Sequence, residues 1–240
     1  MKINYRTVDQ LPSGTSPRLL VVLCHGYGAP GTDLVPIGSE VLAMRPELAS
    51  SVRFVFPEAP LSLEEFGMYG GRAWWQLNVA QFMQALETGR LEDIADATPP
   101  GMPEASDALM QLVQQLCDDA DLSPASLVLG GFSQGSMVAT DVALRLEEPP
   151  AALVVWSGIL LRRQLWAELA ARRGNMFVMQ SHGEVDPILP IDGAEWLHTM
   201  FKSAGLPNEF IRFYGPHTIP YEVIERFAEH LSHCVANSAS

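Results

Sequence analysis

The sequence predicts an α/β protein: a mainly parallel central sheet with helices on both faces. Three observations carry that prediction. Short β-rich runs alternate with longer stretches of helical periodicity along the 240 residues. The first such run, "LLVVLC" (Leu19–Cys24), is apolar throughout, the pattern of a strand covered on both faces. No internal repeat interrupts the alternation, and 48% of the residues are hydrophobic, enough to bury the core of one large domain over residues 1–240.

The elements follow in chain order. After Leu19–Cys24, residues Asp33 to Met44 read as a helix, with Pro36 tolerated in its first turn. "VRFVF" (Val52–Phe56) is the next strand. Glu104 to Cys117 is amphipathic, and "SLVLGGF" then gives a strand ending at Phe132. Met137, Val138, Val142 and Leu146 fall near helical spacing, so a helix follows that strand. "ALVVWSG" (Ala152–Gly158), "NMFVMQS" (Asn175–Ser181) and "EFIRFYG" (Glu209–Gly215) supply three further strands. Leu165–Ala171, Ala194–Lys202 and Val223–Val235 read as the helices among them. Residues Glu87 to Ser106 break the alternation. That acidic, proline-bearing segment reads equally as an exposed connector or as a flap bordering a site, with "LEDIAD" as a solvated face.

Charge and cysteine usage exclude several classes. The formal net charge is −13, from 28 acidic and 15 basic residues. Such a surface repels nucleic acid and anionic membranes. Three cysteines are an odd number without metal-type spacing, as expected of reduced thiols in a cytoplasmic protein. The opening "MKINYRTVDQLPSG" lacks the apolar core of a secretory signal, and the Leu19–Cys24 run is far too short to span a bilayer.

The chemistry centres on "GGFSQGS" (Gly130–Ser136), where Gly131 to Gly135 fits G-x-S-x-G. The match alone recurs by accident about once in ten chains of this length. Its context adds specificity, because a strand precedes Ser133 and a helix follows it. Such a turn projects the serine from the sheet at a helix N-terminus, where unpaired N–H groups favour negative charge. The Gln134 amide is the expected first oxyanion donor. The second should come from a loop after an earlier strand, and "LCHGYGAPGTDL" qualifies. Tyr27 is the preferred donor there, with Gly28 next.

A serine needs a base. Of six histidines, His198, His230 and His233 fall in helical patterns. His25 and His182 each follow a strand, and His25 reads as a residue that holds its loop. His217, in "FYGPHTIP", lies late in the chain, where a base would arrive. The acid should come from "SHGEVDPILP", where Asp186 and Glu184 compete and Pro187 favours a turn at Asp186. Ser133, Asp186 and His217 stand in the α/β-hydrolase chain order. His182 and Asp186 lack a third ligand, so no metal is implied. Cys24 and Ser157 end strands and read as structural. Trp74, Trp75 and, more weakly, Met68 and Tyr69 are candidates for lining an acyl pocket.

In combination, "LCHGYGAPGTDL", "FVFPEAP", "GRAWWQL", "GFSQGS", "SHGEVDPILP" and "GPHTIP" resemble the phospholipase/carboxylesterase family, over roughly residues 19–233. These α/β-hydrolases include acyl-protein thioesterases and bacterial serine esterases. The resemblance implies Ser133 as nucleophile, Asp186 as orienting acid, His217 as base, oxyanion donation from Tyr27 and Gln134, and no cofactor. It implies hydrolysis of a small-molecule or lipid ester or thioester. Lysophospholipase and acyl-protein thioesterase activities are the alternatives, and a non-catalytic binding protein of the same fold is a remote one. No nucleic acid or integral membrane segment is expected, and a homodimer is left open. Ser136, Pro30 and Trp75-Gln76 depart from the family pattern.

Overall fold

The computed structural model describes residues 2–77, 82, 84, 85 and 88–237. A seven-stranded sheet has the order β1-β3-β2-β6-β7-β8-β9. Its strands are β1 (Tyr5–Asp9), β2 (Leu19–Cys24), β3 (Val52–Pro57), β6 (Leu127–Phe132), β7 (Ala152–Trp156), β8 (Phe177–Gly183) and β9 (Asn208–Phe213). All neighbours pair in parallel except β1, which runs antiparallel to β3. A separate two-stranded ribbon joins β4 (Leu61–Ser62) to β5 (Arg72–Ala73).

Strand β2 shows why an unbroken apolar run was needed. Successive side chains point to opposite faces. Leu20, Val22 and Cys24 enter the core layer on one face, and Leu19, Val21 and Leu23 enter the layer on the other. The helices divide accordingly. Helices α2 (Leu91–Asp96), α3 (Met102–Ala120), α4 (Gln134–Arg145), α5 (Arg163–Ala170) and α6 (Ile191–Ser203) cover the first layer with residues such as Leu109, Val142, Trp166 and Phe201. Helices α1 (Val35–Met44) and α7 (Tyr221–Asn237) cover the second with Ile37, Val41, Phe227 and Leu231. Among the described residues, no helix is long and apolar enough to cross a membrane.

The sheet order places the site. From β2 the chain moves outward to β3, then returns to the other side of β2 as β6. The carboxyl ends of β2 and β6 are therefore adjacent where the winding reverses, the usual crevice for ligands in open α/β sheets. Cys24 pairs in register with Gly131, so the loop after β2 and the turn after β6 leave the sheet side by side.

The 87–106 segment is not irregular as expected. Glu87 lies outside the described residues, but Leu91–Asp96 forms α2 and Met102 opens α3. "LEDIAD" is not simply a solvated face either, since Ala95 is buried and Asp96 binds Arg163 at 2.8 Å. Two smaller elements carry no signal in the sequence reading: edge strand β1 and the β4–β5 ribbon.

Candidate functional site

Ser133 occupies the turn between β6 and α4 with φ 53° and ψ −124°. That left-handed backbone is rare for a residue with a Cβ. Contacts on both sides impose it. The Ser133 N–H donates to the Trp156 carbonyl at 2.8 Å, and its own carbonyl accepts from the Ser136 hydroxyl at 2.7 Å. The flanking glycines are required by close approach: a Cβ on either Gly131 or Gly135 would sit on the Cys24 carbonyl oxygen. The start of α4 is thus pressed against the end of β2.

His217 leaves the sheet in the loop after β9, and Asp186 in the loop after β8. The Asp186 Oδ2 accepts a hydrogen bond from His217 Nδ1 at 2.6 Å. Oδ1 accepts from the Ile188 and Leu189 N–H groups at 2.8 and 2.9 Å, the local turn that Pro187 favours. Burial by itself would raise the Asp186 pKa. Hydrogen bonds from His217 and from the Leu189 and Ile188 amides outweigh it and hold the carboxyl below its ordinary value. Glu184 is exposed, and of the two carboxylates it is Asp186 that meets His217. The His217 ring packs on Phe132, the residue before Ser133, with centroids 4.7 Å apart. An imidazole held at Nδ1 by a carboxylate presents Nε2 for proton transfer.

Two of the other histidines, His25 and His182, are buried. His25 is buried; its Nε2 accepts from the Ala59 N–H at 3.1 Å while Nδ1 lies 2.8 Å from the Gly26 carbonyl. This pair of contacts fixes the neutral Nδ1–H tautomer, and burial lowers its pKa. His25 therefore holds its loop. His182 is also buried, with its pKa lowered by burial, and its Nε2 donates to the Leu189 carbonyl at 2.8 Å, closing the Asp186 turn from below. His198 and His230 are half-buried on α6 and α7, and His233 is exposed on α7. The Cys24 thiol is buried and its pKa is driven up by that burial, which suits a small core residue.

The loop after β2 lies against the turn. A Cβ on Gly26 would contact Phe132 and Ser133. The Gly28 N–H is committed to the Arg72 carbonyl at 2.8 Å. Gln134 is the first residue of α4, so its N–H has no intrahelical acceptor. Its side chain, which sequence reasoning did not single out, staples the next segment: Oε1 accepts from the Trp74 N–H at 2.9 Å and Nε2 donates to the Trp75 carbonyl at 2.8 Å.

A groove of about 800 Å³ adjoins this arrangement, lined by Tyr27, Leu61, Phe66, Met68, Gln76, Leu77, Pro100 and Gly101. No charged side chain is among them. Met68 lines it. Trp74 and Trp75 do not; both are buried in the core at 1% exposure. The Trp74 indole N–H is spent on the His25 carbonyl at 2.9 Å. Tyr69 is exposed and is not part of the lining. A second cavity of about 860 Å³, lined by residues including Lys2, Arg6, Glu58 and Gln111, contains none of the residues discussed above as candidates for chemistry.

The chain has relatives among known proteins. Residues 11–235 match the Phospholipase/Carboxylesterase family. The chain belongs to that family. Acyl-protein thioesterase 1 of Eremothecium gossypii is 28% identical over 197 residues, covering 80% of this chain and 77% of the relative. The protein of the same name from Mycosarcoma maydis is 25% identical over 218 residues, covering 87% and 85%. Among solved structures, esterase PE8 superposes with a TM-score of 0.78 at 26% identity, covering 98% of this chain and all of that one. The Bacillus cereus carboxylesterase shares the fold, with a TM-score of 0.70 at 14% identity over 97% and 94% of the two chains.

The departures from the family pattern now have places. Ser136 is fully buried behind the turn and bonds the Ser133 carbonyl, so it braces the turn and does not line the groove. Pro30 is exposed and its carbonyl accepts from the Asp33 N–H at 3.0 Å, at the entry to α1. Gln76 lines the groove.

Proposed function

We propose that this member of the carboxylesterase family is a serine hydrolase that cleaves carboxylic esters or thioesters through an acyl-enzyme on Ser133. The observation that carries the reading is the 2.6 Å hydrogen bond from His217 Nδ1 to a buried, ionised Asp186, beside a serine held in a strained turn. His217 Nε2 takes the Ser133 proton as Oγ attacks the acyl carbonyl carbon. The carbonyl electron pair moves onto oxygen, facing the Tyr27 and Gln134 amides, each contributing about 3–4 kcal/mol to the transition state. Collapse of the adduct expels the alkoxide or thiolate, which takes the proton back from His217. Water repeats the sequence and frees Ser133. Asp186 fixes the imidazole tautomer and stabilises the imidazolium.

The lining of the groove, mostly apolar and without a charged side chain, suits an uncharged acyl group. Met68 contacts that group in this reading, while Trp74 and Trp75 stay in the core. The relatives named acyl-protein thioesterase 1 favour a thioester as the leading alternative; lysophospholipid differs from it only in the leaving group. We read the chain as one domain acting in the cytoplasm.

The test is Ser133→Ala, assayed on p-nitrophenyl esters from acetate to palmitate beside a thioester and a lysophospholipid. The variant is expected to stay folded and lose turnover by about three orders of magnitude or more. Substantial retained turnover sinks the assignment. A wild type that turns over none of these and is not labelled by a fluorophosphonate would instead be a binding protein.

A further inference from the structure

The groove wall formed by Pro100 and Gly101 belongs to neither the sheet nor a long helix. It is a five-residue stretch, 97–101, between α2 and α3, and its position depends on what anchors its two ends. At the far end Met102 is fully buried and opens α3. Gly101, at φ 85°, lies close enough to Trp75 that a Cβ there would approach the Trp75 Cβ at 3.3 Å. At the near end the Ala97 carbonyl accepts from the Arg162 N–H at 3.2 Å, and Asp96 binds Arg163 Nε at 2.8 Å.

Arg162 is itself unusual. Its backbone is left-handed, with φ 47° and ψ 41°, immediately before α5. Its guanidinium reaches into α4 and donates from Nη1 to Asp141 Oδ1 at 2.7 Å. Asp141 is fully buried, and its charge is met by two further donors: Trp166 Nε1 at 2.9 Å and Arg145 Nη1 at 3.2 Å. Helix α4 is the helix that begins beside Ser133. One residue thus joins the helix that starts after Ser133 to the stretch that forms the groove wall. A strained conformation held by a buried ionic cluster points to a demand on position.

We propose that Arg162, through Asp141 on one side and the Ala97 carbonyl on the other, is a positioning residue that sets acyl-chain selectivity by fixing the Pro100–Gly101 wall relative to Ser133. The inference rests on the ester-hydrolase reading above. Short acyl groups that do not fill the groove are indifferent to the wall. Longer ones lose about fourfold in kcat/KM for each methylene that it no longer buries.

The test pairs Arg162→Gln with the surface double variant Asp96→Asn/Arg163→Gln, which loosens the same anchor without touching the buried cluster. Arg162→Lys, which keeps a cation facing Asp141, serves as the rescue. Two readouts are taken: kcat/KM for acetyl against octanoyl p-nitrophenyl esters, and hydrogen exchange at the Ala97, Thr98, Gly101 and Met102 amides. Expected is an octanoyl-to-acetyl ratio about tenfold lower in Arg162→Gln, with acetyl turnover within about twofold of wild type. The double variant moves the ratio the same way, Arg162→Lys restores it, and exchange accelerates at the four amides. Equal loss on both esters, or a lower melting temperature with unchanged ratio and exchange, overturns the proposal and leaves a purely structural cluster. If the wild type cleaves neither ester, the hydrolase reading fails. Unchanged exchange at 97–102 then still refutes the anchoring.

Discussion

Replacing Ser133 by glycine and by alanine separates two things that a single substitution confounds. Both variants lack the hydroxyl, so both are inactive if Ser133 is the nucleophile. They differ in whether the backbone at φ 53° and ψ −124° is strained. Alanine keeps a Cβ and keeps the strain, which costs about 1–3 kcal/mol for such a conformation. Glycine adopts it freely, but the greater freedom of its unfolded chain costs about 0.4–1 kcal/mol relative to alanine. The net expectation is that Ser133→Gly is more stable than Ser133→Ala by about 1.5 kcal/mol. For a chain of this size that is a difference in Tm of about 3–6 °C. Paired calorimetric scans of the two variants measure it directly. A glycine variant that melts at or below the alanine variant refutes the claim that the turn stores strain.

Two further expectations rest on groups around the site. His25 and His182 are buried with lowered pKa values, so the unfolded chain binds their protons first as pH falls below about 6.5. In that window the unfolded state carries more protons, so stability drops on acidification, by at most about 1.4 kcal/mol per pH unit for each histidine. The lowered carboxyl of Asp186 adds its own loss only below about pH 4. Urea midpoints that stay level between pH 7 and pH 5 contradict this. Gln134→Leu leaves the Trp74 N–H and the Trp75 carbonyl unpaired in the interior, and should cost about 2–4 kcal/mol in urea unfolding; a loss below about 0.5 kcal/mol argues against the staple.

Much of this architecture was legible because the informative residues are constrained locally. Leu19–Cys24 must satisfy two core layers at once, so its composition marks a central strand. Gly131 and Gly135 are dictated by the backbone at the end of β2, where the Cys24 carbonyl crowds both and the His25 carbonyl crowds Gly135, and so the serine turn leaves a motif. The Asp186 turn is written in the adjacent proline. What escaped was non-local. Strand β1 shows little apolar pattern, since Tyr5, Arg6 and Thr7 are exposed and Val8 alone packs on the core, and its pairing with β3 makes it a strand. The Trp74 and Trp75 pair looks the same in sequence whether it lines a groove or lies in the core. Asp141 sits in the middle of a helical stretch with nothing nearby to announce that Arg162 and Trp166 arrive from the next crossover.

Strand β1 has a consequence for how the molecule meets its neighbours. Without it, the outer edge of the sheet would be β3, whose Phe54, Val55 and Phe56 are fully buried, a run well suited to adding strands from other molecules. The chain covers that edge with a polar strand, locked in register by the Asp9–Arg53 ion pair at 2.6 Å. The edge offered to solvent carries Arg6 and Thr7 where β3 would have offered a row of unpaired backbone groups. Resistance to aggregation is thus assigned to five residues that make no contact with the proposed chemistry, and a fusion or truncation that disturbs them exposes the sheet while leaving Ser133, Asp186 and His217 untouched.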